Sequence, residues 1–81
     1  MNDADARYAR RLVVNATFYR RRAWATLRTL VTDTGRVLER LERGETGGDD
    51  LSNLGAALMR AQRYLTLAEA YKDAFDAHED E

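Results

Sequence analysis

Gly44-Glu45-Thr46-Gly47-Gly48 is the stretch that decides how this chain folds. It holds three of the five glycines, and helix-forming sequence runs away from it on both sides. Residues 1–43 carry ten arginines against Asp3, Asp5, Asp33, Glu39 and Glu42, a surplus of five positive charges. Residues 44–81 carry Arg60, Arg63 and Lys72 against nine acids, a surplus of six negative charges. The net charge of −1 therefore hides two oppositely charged halves. Two amphipathic helices of opposite charge, joined by a glycine-rich turn, describe an antiparallel helical hairpin whose arms attract each other.

Composition agrees. The 81 residues make one small domain, 1–81. There is no proline to interrupt a helix, and the abundant Ala, Leu, Arg and Glu are strong helix formers. Helix A is expected over about 4–43, starting at Asn2 or Asp3, which can cap free amides. Its apolar positions are Val13, Ala16, Ala23, Trp24, Leu27, Leu30, Val31, Val37, Leu38 and Leu41, with Arg20 and Thr34 in the same stripe. Steps of three and four mark a half-buried helix. Gly44 suits a left-handed cap at its end. Val13-Val14-Asn15 and Gly35 are the soft points.

The glycine turn is expected over 44–49. Helix B follows over about 50–78, with Asp50 as its cap and an acidic, fraying tail at 79–81. Its main stripe reads Leu51, Leu54, Leu58, Ala61, Leu65, Ala68 and Phe75, with Lys72 among them. A second stripe of Ala57, Tyr64, Leu67, Tyr71, Ala74 and His78 lies beside it. Two helices bury only one stripe each, and a lone core this small rarely stabilises itself. The expected fold is all-α: a long antiparallel hairpin, homodimerised through coiled-coil packing into a four-helix bundle. The alternative is a three-helix monomer, with helix A broken near Asn15 or Gly35. Folding the chain about Gly47 opposes residues whose numbers add to about 93. That register sets Arg20–Arg22 along Glu69, Asp73 and Asp76, and leaves Arg7, Arg10 and Arg11 beyond the end of helix B.

Motifs that could carry chemistry are sparse. Asp33-Thr34-Gly35 matches the aspartic protease tripeptide but falls within a helical stretch, away from any strand-borne loop. The single histidine, His78, lacks the preorganised donors that a metal needs. The glycine turn lacks the Gly-Lys-Ser/Thr ending of a phosphate loop, and its acids repel phosphate. Ser52, the only serine, sits in a helix N-terminal turn. No catalytic residue, metal ligand or cofactor is expected.

With no cysteine, no signal-like leader and no apolar run long enough to span a bilayer, a cytoplasmic protein is the expectation, without a membrane partner. The functional expectation is a non-enzymatic protein-interaction module: a small regulator, inhibitor or adaptor presenting helical surface to a protein. Phe18, Tyr19, Trp24, Tyr64 and Tyr71 are its candidate anchors, because Tyr and Trp concentrate at interface hot spots. The alternative is a nucleic-acid-binding hairpin dimer using Arg7, Arg10, Arg11, Arg20, Arg21 and Arg22. Arginine forks suit phosphate and neighbouring aromatics can stack on bases. The pI near 5.8 weighs against that alternative.

Overall fold

A computed structural model describes residues 3–45 and 47–80, and over them the chain is two helices. Helix α1 runs Asp3–Glu42 and helix α2 runs Gly48–Glu79. The two pack side by side into a rod of 63 × 15 × 13 Å. Helix α1 passes through Asn15 and Gly35 without a break, so the three-helix alternative does not form. At the open end, α2 runs to Glu79, one residue beyond the expected end.

The reversal is built from backbone hydrogen bonds at Gly44. Its φ of 81° is the left-handed region that glycine enters without strain. The Gly44 amide donates to the Leu41 carbonyl at 3.0 Å, and the Glu45 amide to the Arg40 carbonyl at 2.9 Å. Together these form a Schellman motif, which satisfies carbonyls that a helix end leaves open. Helix α2 then starts at Gly48, two residues earlier than expected, with no side-chain cap on Gly47. Asp50 is therefore not the cap. Its carboxylate instead accepts from Arg40 at 2.6 Å across the turn. Asn2, the other cap expected for helix A, and Thr46 in the turn lie outside the described residues.

Because the chain turns at Gly44 rather than Gly47, the register differs from expectation. Tyr8 meets His78 and Arg22 meets Tyr64, so facing residues add to 86 instead of 93. Heptad spacing defines the seam. On α1 it follows Ala9, Leu12, Ala16, Tyr19, Ala23, Thr26, Leu30, Asp33 and Val37, in alternating steps of three and four. On α2 it follows Leu54, Ala57, Ala61, Tyr64, Ala68, Tyr71, Phe75 and His78. This is an antiparallel coiled-coil pattern.

Small residues occupy its centre: Ala16, Ala23, Ala61 and Ala68 are buried, Ala23 completely. Alanine lets the backbones approach closely, and the larger rings fill the space between the alanines. Tyr19 stacks between Tyr64 (centroids 6.3 Å apart) and Tyr71 (5.8 Å).

The seam keeps Ala16, Ala23, Leu30 and Val37 of the stripe expected on α1 and leaves out most of its larger members. Val13, Trp24, Val31, Leu38 and Leu41 on α1 are exposed, as are Leu51, Leu58 and Leu65 on α2. Leu58, expected in the core, is 54% exposed. The seam on α2 takes residues from both expected stripes and leaves out Leu51, Leu58 and Leu65.

Candidate interaction surfaces

Antiparallel helices set like flanks of the heptad beside each other, so the hairpin has two different sides. One side is polar. Arg22, Thr26 and Thr29 of α1 share a cleft of about 220 Å³ with Arg60 of α2. Further toward the turn, Asp33, Arg36 and Arg40 share a larger one, about 340 Å³, with Asp50, Asn53 and Arg60. The Arg22 guanidinium donates to the Tyr64 hydroxyl at 3.3 Å and lies 5.4 Å from the Tyr64 ring centroid. That hydrogen bond and the guanidinium's charge hold the Tyr64 phenol below its usual range, with Arg60 and Arg63 adding to the effect.

The other side is apolar. The row Val13, Arg20, Leu27, Thr34, Leu41 of α1 runs beside Leu51, Leu58, Leu65, Lys72 of α2. Trp24, Val31 and Leu38 widen it from the outer edge of α1. These are among the most exposed large side chains in the molecule, Val31 at 74% and Trp24 at 63%. Arg28 lies over the Trp24 ring at 5.1 Å, a cation–π contact.

A third feature lies toward the open end, on the outer surface of α1. Val13, Val14, Thr17, Phe18, Arg21 and Arg22 enclose a shallow groove of about 460 Å³. Phe18 is exposed and leans edge-on against Tyr19, with centroids 5.2 Å apart.

The aromatic candidates therefore separate. Phe18 and Trp24 stand on the surface, whereas Tyr19, Tyr64 and Tyr71 are half-buried in the seam. The arginines separate as well. Arg7 donates to the Asp3 carbonyl at 3.3 Å, and Arg22 is engaged with Tyr64. None of Arg20, Arg21 and Arg22 forms an ion pair with Glu69, Asp73 or Asp76 among the described residues. Among the described residues the arm-to-arm ion pair is Arg40 with Asp50, beside the turn. The shifted register explains this, since Arg20 comes level with Thr66 and not with Asp73. By the same shift Arg7, Arg10 and Arg11 lie alongside the last turn of α2, where Tyr8 meets His78 at 5.3 Å, and do not project past it.

Asp33 and His78 have structural surroundings. Asp33 lies 3.8 Å from Arg36 within the helix, and the Thr34 hydroxyl donates to the Leu30 carbonyl at 2.7 Å. Among the described residues no group of three or more His, Cys, Asp or Glu could hold a metal ion. No described helix is long and apolar enough to cross a membrane. Sequence reasoning placed Leu51, Leu58 and Leu65 in the core and missed them as surface. Their strict spacing of seven, one residue beyond the seam, was the available signal. Comparison of the chain with protein-family models, with curated proteins and with solved structures finds no match.

Proposed function

We propose that this chain is a non-enzymatic protein-interaction module, a small cytoplasmic regulator, inhibitor or adaptor, that works as a homodimeric four-helix bundle. The apolar side of the hairpin is the observation that carries the reading. The accessible surface is 6432 Å², against roughly 5,000 Å² for a compact monomer of 9.3 kDa. The radius of gyration is 18.3 Å, against about 12 Å for a compact chain of this length. The excess surface is larger than the roughly 800 Å² that each partner gives up in a standard interface. A second hairpin covering the apolar side adds large buried side chains to a seam whose own are few, Leu12 and Val37 among them. Phe18, Val14 and Arg21, on the outer surface of α1, then remain free for a protein partner, while Val13 at the groove's edge is covered by the second hairpin.

One observation favours a second reading. Arg10, Arg11, Arg20 and Arg21 form no ion pair with the described acids, so a nucleic-acid-binding dimer retains free guanidinium groups for phosphate.

Light scattering and affinity capture test both. The first reading expects a mass twice 9.3 kDa and a protein partner that survives nuclease treatment and is lost on Phe18→Ala. Salt-sensitive retention of RNA or duplex DNA, abolished by changing Arg7, Arg10 and Arg11 together to alanine, would replace it with the second. A monomer at micromolar concentration sinks the bundle.

A further inference from the structure

We infer that two copies of this chain meet head to tail through the apolar side, with α1 packed on the partner's α1 and α2 on the partner's α2. The inference rests on the homodimer proposed above and adds its face and direction. An isologous interface needs a patch that matches itself after a half-turn. Opposing the same side of two hairpins leaves two directions for that axis: along the rod or across it.

An axis across the rod requires apolar residues spaced symmetrically about one level, and the structure has them. On α1, Leu27 is midway between Val13 and Leu41, and Trp24 and Val31 flank it almost evenly. On α2, Leu58 is midway between Leu51 and Leu65. The Tyr8–His78 and Arg22–Tyr64 contacts fix the relative height of the helices, and they set Leu58 level with residue 28 of α1. Both rows are therefore centred at the same height. A half-turn about that point opposes Val13 to the partner's Leu41 and Trp24 to the partner's Val31. It likewise opposes Leu51 to the partner's Leu65, and brings Leu27 and Leu58 each against its own copy. Arg20 falls against the partner's Thr34, and Lys72, level with residue 14 of α1, falls opposite the partner's turn, short of its α2.

An axis along the rod does worse. It lays α1 over the partner's α2 at equal heights, opposing Arg20 to the partner's Leu65 and Val13 to the partner's Lys72. Four cations per dimer then face apolar side chains, and only Leu27 with Leu58 pairs well. Covering a charge with apolar surface is costly. Charge and spacing thus select the same direction.

Spin labels can measure it, because the chain has no cysteine of its own. Glu45→Cys labels the turn and Ala4→Cys the open end, both at exposed positions. With about 1.5 Å of rise per residue from the centre near residue 27, the two turn labels should lie about 50 Å apart and the two open-end labels about 70 Å. Each labelled protein is checked for dimeric mass before the distance is read by pulsed electron resonance. A dimer with either pair much closer, down to about 20 Å when like ends lie together, overturns the head-to-tail arrangement and leaves the homodimer standing. A monomeric mass removes both.

Discussion

The two flanks of the hairpin are built on the same heptad frame and have opposite characters. On one flank Arg22, Thr29 and Arg36 of α1 face Asn53 and Arg60 of α2, and the clefts between them are polar. On the other, Val13, Leu27 and Leu41 run beside Leu51, Leu58 and Leu65. A hairpin needing only to stay soluble would be polar on both. The asymmetry shows that the seam uses part of the apolar surface the sequence provides and leaves much of the rest turned to one side, with Val14, Phe18 and Met59 exposed elsewhere.

Single substitutions on the two flanks should break that comparison most sharply. Leu58→Asp is expected to convert the dimer to a monomer and lower the melting temperature steeply, at a cost of several kcal/mol. Thr29→Asp, at a comparable height on the polar flank, should change stability by no more than about 0.5 kcal/mol. Circular dichroism melts at several protein concentrations check both. Equal, small effects would mean that the apolar flank is not covered.

The seam itself should respond less than the apolar flank and more than the turn. Ala23→Leu forces a larger side chain against a position with no exposed surface, at about 1–3 kcal/mol. Urea denaturation measures it, and an unchanged midpoint would show that the helices separate freely at Ala23.

The turn comes next. Gly44→Ala places a Cβ on a backbone with φ of 81°, at about 1–2 kcal/mol. At Gly47 an added Cβ would run into the Asp50 carboxylate that holds Arg40. Gly47→Ala should therefore cost about as much as the exposed ion pair, about 0.2–1 kcal/mol. Thermal melts that rank Gly47→Ala above Gly44→Ala would contradict this account of the turn.

The smallest effect belongs to the polar flank. Arg22 favours the ionised Tyr64 phenol, so Tyr64 should lose its proton below the usual tyrosine range. Absorbance of tyrosinate against pH would show one early titration, abolished by Arg22→Ala. The folded pKa is depressed, so this group binds fewer protons folded than unfolded. Its contribution to stability is absent below the lowered folded value and grows with pH up to the ordinary tyrosine range. Absence of any early titration would show that the Arg22–Tyr64 contact does not persist in solution.

Sequence by itself determined the two helices, their ends to within two residues, the left-handed cap at Gly44 and the division of charge. Those features depend on interactions within a few residues: propensity, capping and the φ that a side chain permits. Only the tertiary structure decided which stripe closes the hairpin. Helix α1 offers two heptad rows one residue apart, turned about 100° from each other. Apolar size favours the row of Val13, Trp24, Leu27, Val31, Leu38 and Leu41. The hairpin instead closes on Ala16, Tyr19 and Ala23 against Ala61, Tyr64 and Ala68, because small side chains let the backbones approach and the tyrosine rings fill the gaps between them. Hydrophobicity along one helix records how much a residue gains from leaving water. It does not record whether the residues opposite leave room for it.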